Sequence, residues 1–189
     1  MANYELFKNS IEQAEGGYQN IVEDKGNYNS KKERVGTNRG ISARFYEGVI
    51  GFPPSVDDMK AITREEAHIL FKNEFWDKVK ADNINNQAVA ETIVDHAINA
   101  GVGAAGKIVQ ETLNKYFGKN LKVDRSIGNI TVTAINSIDP SKLFEKLSVA
   151  RLEDYETKPT YYKFGHVWKN RVYELAKKFG IEIKKKRRR

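Results

Sequence analysis

Tyr4, Phe7, Ile11 and Ala14 recur at three- and four-residue intervals among polar neighbours, which predicts an amphipathic helix over residues 4–15 with Gly16-Gly17 as its stop signal. Between residues 18 and 46 that period is lost. Tyr18, Ile21 and Val22, then Val35, Ile41 and Phe45, are short apolar touches among Gly, Asn, Ser and charges, which predicts a small hairpin or loop region. Helical spacing returns after Phe52-Pro53-Pro54. Thr63-Arg64-Glu65-Glu66 reads as a capping box ahead of the stripe Ala67, Leu70, Phe71 and Phe75. Ala90, Ile93, Val94, Ala97 and Ile98 mark a more buried helix ending at Gly101. Further helices are expected over Ala105 to Phe117, around Thr131 to Ile135, from Asp139-Pro140 onward, and along Trp168, Val172, Leu175 and Phe179. The pattern predicts a mainly α fold with one small β region near the N-terminus, and reads Trp76 and Trp168 as packing residues.

Composition agrees with a folded domain: 189 residues, 40% hydrophobic, 30% charged and only 4 Pro. With no Cys, disulfides, thiolate metal sites and cysteine nucleophiles are excluded. No stretch approaches the ~20 apolar residues of a membrane span, and the N-terminus lacks a basic-then-apolar leader, so neither membrane insertion nor a signal peptide is expected. The net charge of +7 invites a nucleic-acid reading, but Lys184 to Arg189 alone supply six positive charges and leave the rest at +1. No specific nucleic-acid partner is expected on that distribution.

Two motifs fail on context. Gly101-Val102-Gly103-Ala104-Ala105-Gly106 matches GxGxxG, yet a helix precedes it where a dinucleotide site needs a strand, so the glycines are read as a tight bend between helices. His68, His96 and His166 lack metal-ligand spacing, and no metal or other cofactor is expected.

Glu15 carries a stronger signal. It lies one turn beyond Ile11, at the edge of the apolar stripe and in the last turn of its helix. Desolvation and the negative end of the helix dipole both favour its protonated form, the state general-acid cleavage of a glycosidic bond requires. On these residues alone a merely tolerated Glu beside a C-capping glycine is the more ordinary reading. Asp24, nine residues on across a presumed hairpin turn, offers a second carboxyl.

Glu15-Gly16-Gly17-Tyr18, Asp24-Lys25-Gly26 and Thr37-Asn38-Arg39-Gly40-Ile41-Ser42 resemble the EGGY, DPGG and TNxGIT motifs of glycoside hydrolase family 108. Phe75-Trp76-Asp77, the helix from Asp95 to Gly101, Val109-Gln110, Val123 to Gly128 and Phe164 to Val172 resemble further segments of the family in the same order. The chain departs from the pattern at Asp24-Lys25-Gly26-Asn27, at Tyr28 to Gly36, which looks like an insertion, and at Arg125, which replaces the first Gly of VDGxxG.

The resemblance implies a lysozyme-like helical fold and N-acetylmuramidase activity, cleaving the MurNAc-GlcNAc β-1,4 bond of peptidoglycan, as in phage endolysins and secretion activator proteins. It implies Glu15 as general acid, Asp24 as a base that orients water, and Tyr18, Thr37, Asn38 and Asn99 as substrate contacts. Inverting and retaining mechanisms both remain open, as do a lytic transglycosylase and an inactive wall-binding or nucleic-acid-binding module. The expected organisation is a catalytic domain over 1–118, a peptidoglycan-binding-like helical region over 119–180 and a basic tail over 181–189. The expected protein is a monomer made in the cytoplasm that reaches the cell wall by a separate export route, with glycan strands as its partner.

Overall fold

The computed structural model describes residues 1–14 and 16–184, without the side chains of Ser10, Glu12, Gln13 and Ala14. Glu15 and residues 185–189 therefore lie outside the described residues. The described chain divides into two compact units, Glu5–Lys72 and a second made of Met1–Tyr4 with the residues from Asn73 onward.

Helix α1 covers Tyr4–Ala14 and buries Tyr4, Phe7 and Ile11, as the spacing predicts. After it, a 3-10 turn at Lys25–Asn27 leads to a two-stranded antiparallel sheet, β1 (Thr37–Asn38) and β2 (Ile41–Ser42), with Thr37 opposite Ser42 and Asn38 opposite Ile41. Arg39 and Gly40 make the turn with φ of 49° and 73°. Both dihedrals positive is the geometry whose twist suits a two-residue hairpin. Gln19 extends the sheet on the other side, since its N–H and C=O exchange bonds of 2.8 Å with Thr37.

Helices α2 (Ala43–Ile50), α3 (Val56–Ala61) and α4 (Arg64–Phe71) complete this unit. The hairpin expected over residues 18–46 forms, but α2 begins inside that range and corrects its end. Ser42 caps its start by accepting from the Phe45 N–H, and Gly51 at φ 80° closes its end. Within it Ala43 is buried, Phe45 half-buried and Val49 exposed. The capping box of α4 forms as expected, with Thr63 N–H donating to Glu66 Oε2 at 2.8 Å and Glu66 N–H to Thr63 Oγ1 at 3.1 Å. The chain then continues through a π-turn at Lys72–Trp76.

In the second unit, α5 (Gln87–Ala100), α6 (Val102–Phe117), α8 (Pro140–Glu156) and α9 (Tyr161–Lys178) pack on one another, with α7 (Asn129–Asn136) against α6. Helix α5 is its centre and buries residues all around, from Ala88 to Ala97. Two of its acids hold neighbouring helices. Glu91, fully buried, accepts from Lys178 Nζ of α9 at 2.6 and 2.8 Å. Asp95 receives Arg151 of α8 and, at 2.6 Å, Arg171 of α9. Gly101 supplies the expected bend between α5 and α6, at φ 93°. Trp76 is fully buried, donates to Asp82 Oδ1 at 2.6 Å and meets Tyr4 edge-on, while Trp168 packs with Leu152, Tyr155 and Val172. Both tryptophans pack as their spacing predicts.

Candidate active site

The sequence-predicted residues Tyr18, Asp24, Thr37 and Asn38 all fall in the Glu5–Lys72 unit, on the short segment between α1 and α2. Asp24 opens the 3-10 turn. Its Oδ1 accepts the Gly26 N–H at 2.8 Å, while Oδ2 has only a long contact of 3.4 Å from Gln19 Nε2. One oxygen is thus committed to the backbone and the other is the freer proton acceptor. Asp24 caps this 3-10 turn ahead of the hairpins, and its placement relative to Glu15 lies outside the described residues.

Asn27 ends that turn, fully buried, and ties the segment together. Its Nδ2 donates to Ile21 O at 2.9 Å, its carbonyl accepts from Val35 and Gly36, and its Oδ1 accepts the Thr37 hydroxyl at 2.6 Å. Thr37 is fixed twice, by its backbone between Gln19 and Ser42 and by this hydroxyl bond. Because the hydroxyl proton goes to Asn27, what Thr37 Oγ1 can offer a further partner is its lone pairs. Asn27 was not singled out from the sequence. Its signal was a position: it occupies the last place of the motif DPGG, where an Asn can do with its side chain what a second glycine cannot.

Tyr18 and Asn38 are engaged with the protein. The Tyr18 hydroxyl donates to Val35 O at 3.0 Å and accepts from Asn20 Nδ2 at 3.2 Å, and Lys60 Nζ lies 5.3 Å from its ring centroid. The ring also lies against Gly36, where a Cβ would stand only 2.6 Å from Cε2. Asn38 is buried, and its Nδ2 points to the Met59, Lys60 and Ile62 carbonyls at 2.9, 3.3 and 3.4 Å. These are the orphan carbonyls at the end of α3, so Asn38 acts as its C-terminal cap from a distant strand.

Asn99 belongs to the other unit, at the exposed end of α5, where its Nδ2 donates to Asp95 O at 3.1 Å. Glu15 lies outside the described residues. Among the described residues no three His, Asp or Glu side chains group as metal ligands do, and no helix is long and apolar enough to cross a membrane. His68 and His96 are buried in different units and His166 is exposed. A groove of about 370 Å³ in the second unit, lined by Lys107, Glu111, Lys115, Arg125 and Lys158 among others, contains none of the predicted site residues.

Comparison with known proteins places this segment. Residues 8–101 match the family model Glycosyl hydrolase 108. Among solved structures, that of Brucella abortus SagA is similar, with a TM-score of 0.80 and 24% sequence identity over 93% of this chain and 92% of that one. The likeness establishes a shared mainly α, lysozyme-like fold. No curated protein matches the chain. With the Asp24–Thr37 segment inside the matched half of its length, the protein is a glycoside hydrolase and belongs to glycosyl hydrolase family 108.

Proposed function

We propose that the glycan cut by this hydrolase is peptidoglycan, that the bond is the β-1,4 linkage from MurNAc to GlcNAc, and that Glu15 is the general acid. What supports the reading is the clamp formed by Asp24, Asn27 and Thr37 within the matched segment. In this scheme Glu15 protonates the glycosidic oxygen as the bond to the MurNAc anomeric carbon lengthens. A water donates one hydrogen to Thr37 Oγ1 and the other toward Asp24 Oδ2. A lone pair on its oxygen then faces the anomeric carbon from the side opposite the leaving group. Asp24 takes the water proton as the new C–O bond forms, so the product is inverted, and the cycle closes when Asp24 releases that proton to solvent and Glu15 takes one up. The rigid Asn27 bond fixes the Thr37 lone pairs before substrate arrives, which lowers the reorganisation needed in the transition state. Residues 1–118 are read as the catalytic part and 119–180 as a wall-binding region. The protein acts as a monomer at the cell wall.

The test is digestion of purified sacculi by wild type and Glu15→Gln. The amide is nearly isosteric but carries no acid proton, and the rate of muropeptide release should fall about 10² to 10⁴-fold with the fold intact. A folded Glu15→Gln variant with wild-type activity would remove the assignment. Products ending in a 1,6-anhydro sugar by mass spectrometry would replace hydrolysis with transglycosylation.

A further inference from the structure

The positive charge of this chain is not confined to its C-terminus. Residues 25–39 contain Lys25, Lys31, Lys32, Arg34 and Arg39 against one acid, Glu33, for a net +4. With the six terminal charges removed from the total of +7, every other residue together sums to −3. The concentration falls on the Tyr28 to Gly36 insertion, whose two ends lead directly into Asn27 and Thr37 of the candidate site.

The insertion is a built loop. Tyr28 bridges Arg34, and Asn29, only 2% exposed, caps the turn: its Oδ1 accepts the Lys31 and Glu33 N–H groups at 3.0 Å each. Asn29 Nδ2 donates to Glu33 Oε2 at 2.8 Å and to Pro54 O at 3.0 Å, and Ser30 N–H donates to Glu47 Oε2 at 2.7 Å. Lys32 stands at φ 64°, in the left-handed place of a three-residue hairpin where Gly or Asn is the usual occupant. Lys31, Lys32 and Arg34 are all exposed, and none forms an ion pair with a described residue. A fixed backbone thus holds three exposed cations, none of them ion-paired with a described residue, beside the site, and one of them stands in a conformation that disfavours a side chain.

From this we infer that the 28–36 hairpin is a substrate-recognition element that binds carboxylates on the peptide substituents of the glycan. The inference rests on the peptidoglycan reading. In intact strands the sugars are neutral and the lactyl carboxyl is tied up in an amide, so the anionic groups near the cut bond are the free carboxylates of the peptides. The hairpin attracts those carboxylates, raising the encounter rate and favouring peptide-bearing strands.

The test compares the wild type with the variant Lys31→Ser/Lys32→Gly/Arg34→Ser on two substrates, untreated sacculi and sacculi whose carboxylates have been converted to methylamides. At low ionic strength the variant should release muropeptides about 10-fold more slowly from untreated sacculi, and at the wild-type rate from amidated ones. Its melting temperature should not fall, because Lys32→Gly relieves the backbone. No loss on untreated sacculi, or an equal loss on both substrates, overturns the proposal. Glu15→Gln assayed on amidated sacculi tests the hydrolytic reading separately, whichever way the hairpin result falls.

Discussion

Asp24 divides its two oxygens between structure and chemistry, and that division is testable. Oδ1 caps the 3-10 turn through Gly26 N–H, a role that the amide oxygen of Asn fills equally well. Oδ2 is the oxygen assigned to the water, and an NH₂ group there cannot take a proton. Asp24→Asn is therefore expected to unfold within about 0.5 kcal/mol of wild type, as capping by Asn and Asp is nearly equivalent. Its hydrolysis of sacculi should drop about 10²-fold or more, the loss typical of a missing general base. Thermal unfolding and muropeptide release measured on one preparation check both halves. Full activity in a stable Asp24→Asn protein would mean that Glu15 works without this carboxylate. Tyr18 and Asn38 make the contrasting case. The resemblance implies that both contact substrate, and the Tyr18 hydroxyl and the Asn38 amide are directed at backbone carbonyls of their own unit.

Between elements, the decisive contacts are close backbone approaches and caps supplied from far along the chain. Gly106 lies inside α6, where Ala would normally favour the helix by about 1 kcal/mol. A Cβ there would stand 2.3 Å from Arg125 O and 2.6 Å from its carbonyl carbon, so backbone would have to move. The same segment is fastened to α6 by Gln110, whose Nε2 donates to Asp124 Oδ1 at 2.7 Å and whose Oε1 accepts the Arg125 N–H at 2.9 Å. Arg125 itself stands at φ 69°, which accounts for the glycine that the family motif has in its place. Gly106→Ala is expected to destabilise by about 1 to 3 kcal/mol, the range of overpacking, despite its better helix propensity. Chemical denaturation reads this out. A stabilised variant would show that the 125–126 segment yields freely.

For the larger unit as a whole, helices α5, α8 and α9 converge on a buried network whose protonation sets the acid limit of the fold. Arg151, 1% exposed, donates to Thr92, Asp95 and Tyr155, and the Tyr155 hydroxyl lies 3.4 Å from His96 Nδ1. The Tyr155 hydroxyl and His96 Nδ1 thus share one hydrogen bond, while His96 Nε2 is buried without a partner among the described residues. Burial first, and then the Arg151 charge, push the His96 pKa down to about 3, with Asp95 opposing. Burial would raise the pKa of Asp95, but Arg151 and Arg171 outweigh it and hold the group at about 2. Both folded values lie below the unfolded ones, so in each case the unfolded chain binds more protons as pH falls. The His96 contribution is complete above about pH 6.5 and is lost progressively toward pH 3, by at most about 1.4 kcal/mol per unit. The Asp95 contribution holds above about pH 4 and disappears as pH falls through 2. The melting temperature should thus begin to decline below about pH 6.5, before the carboxylates titrate. In His96→Gln the profile between pH 6.5 and 4 should flatten, and an unchanged slope there would assign the sensitivity to other groups.

Features whose partners lie within about four residues are legible in the order of amino acids. The stripe of α1, the Thr63–Glu66 box, the Asp139-Pro140 start of α8 and the bend at Gly101 each follow from local periodicity and capping. The family is legible there too, since residues 8–101 match its model. What the polar residues do emerges from the folded chain. Asn27 meets Thr37 ten residues on, Asn38 caps α3 from 21 residues away, and Asp95 joins Arg151 across 56. No periodicity encodes such pairs, since a side-chain amide, hydroxyl or guanidinium finds its partner only after the backbone has brought distant segments together, and one residue type can serve a ligand or a carbonyl equally well.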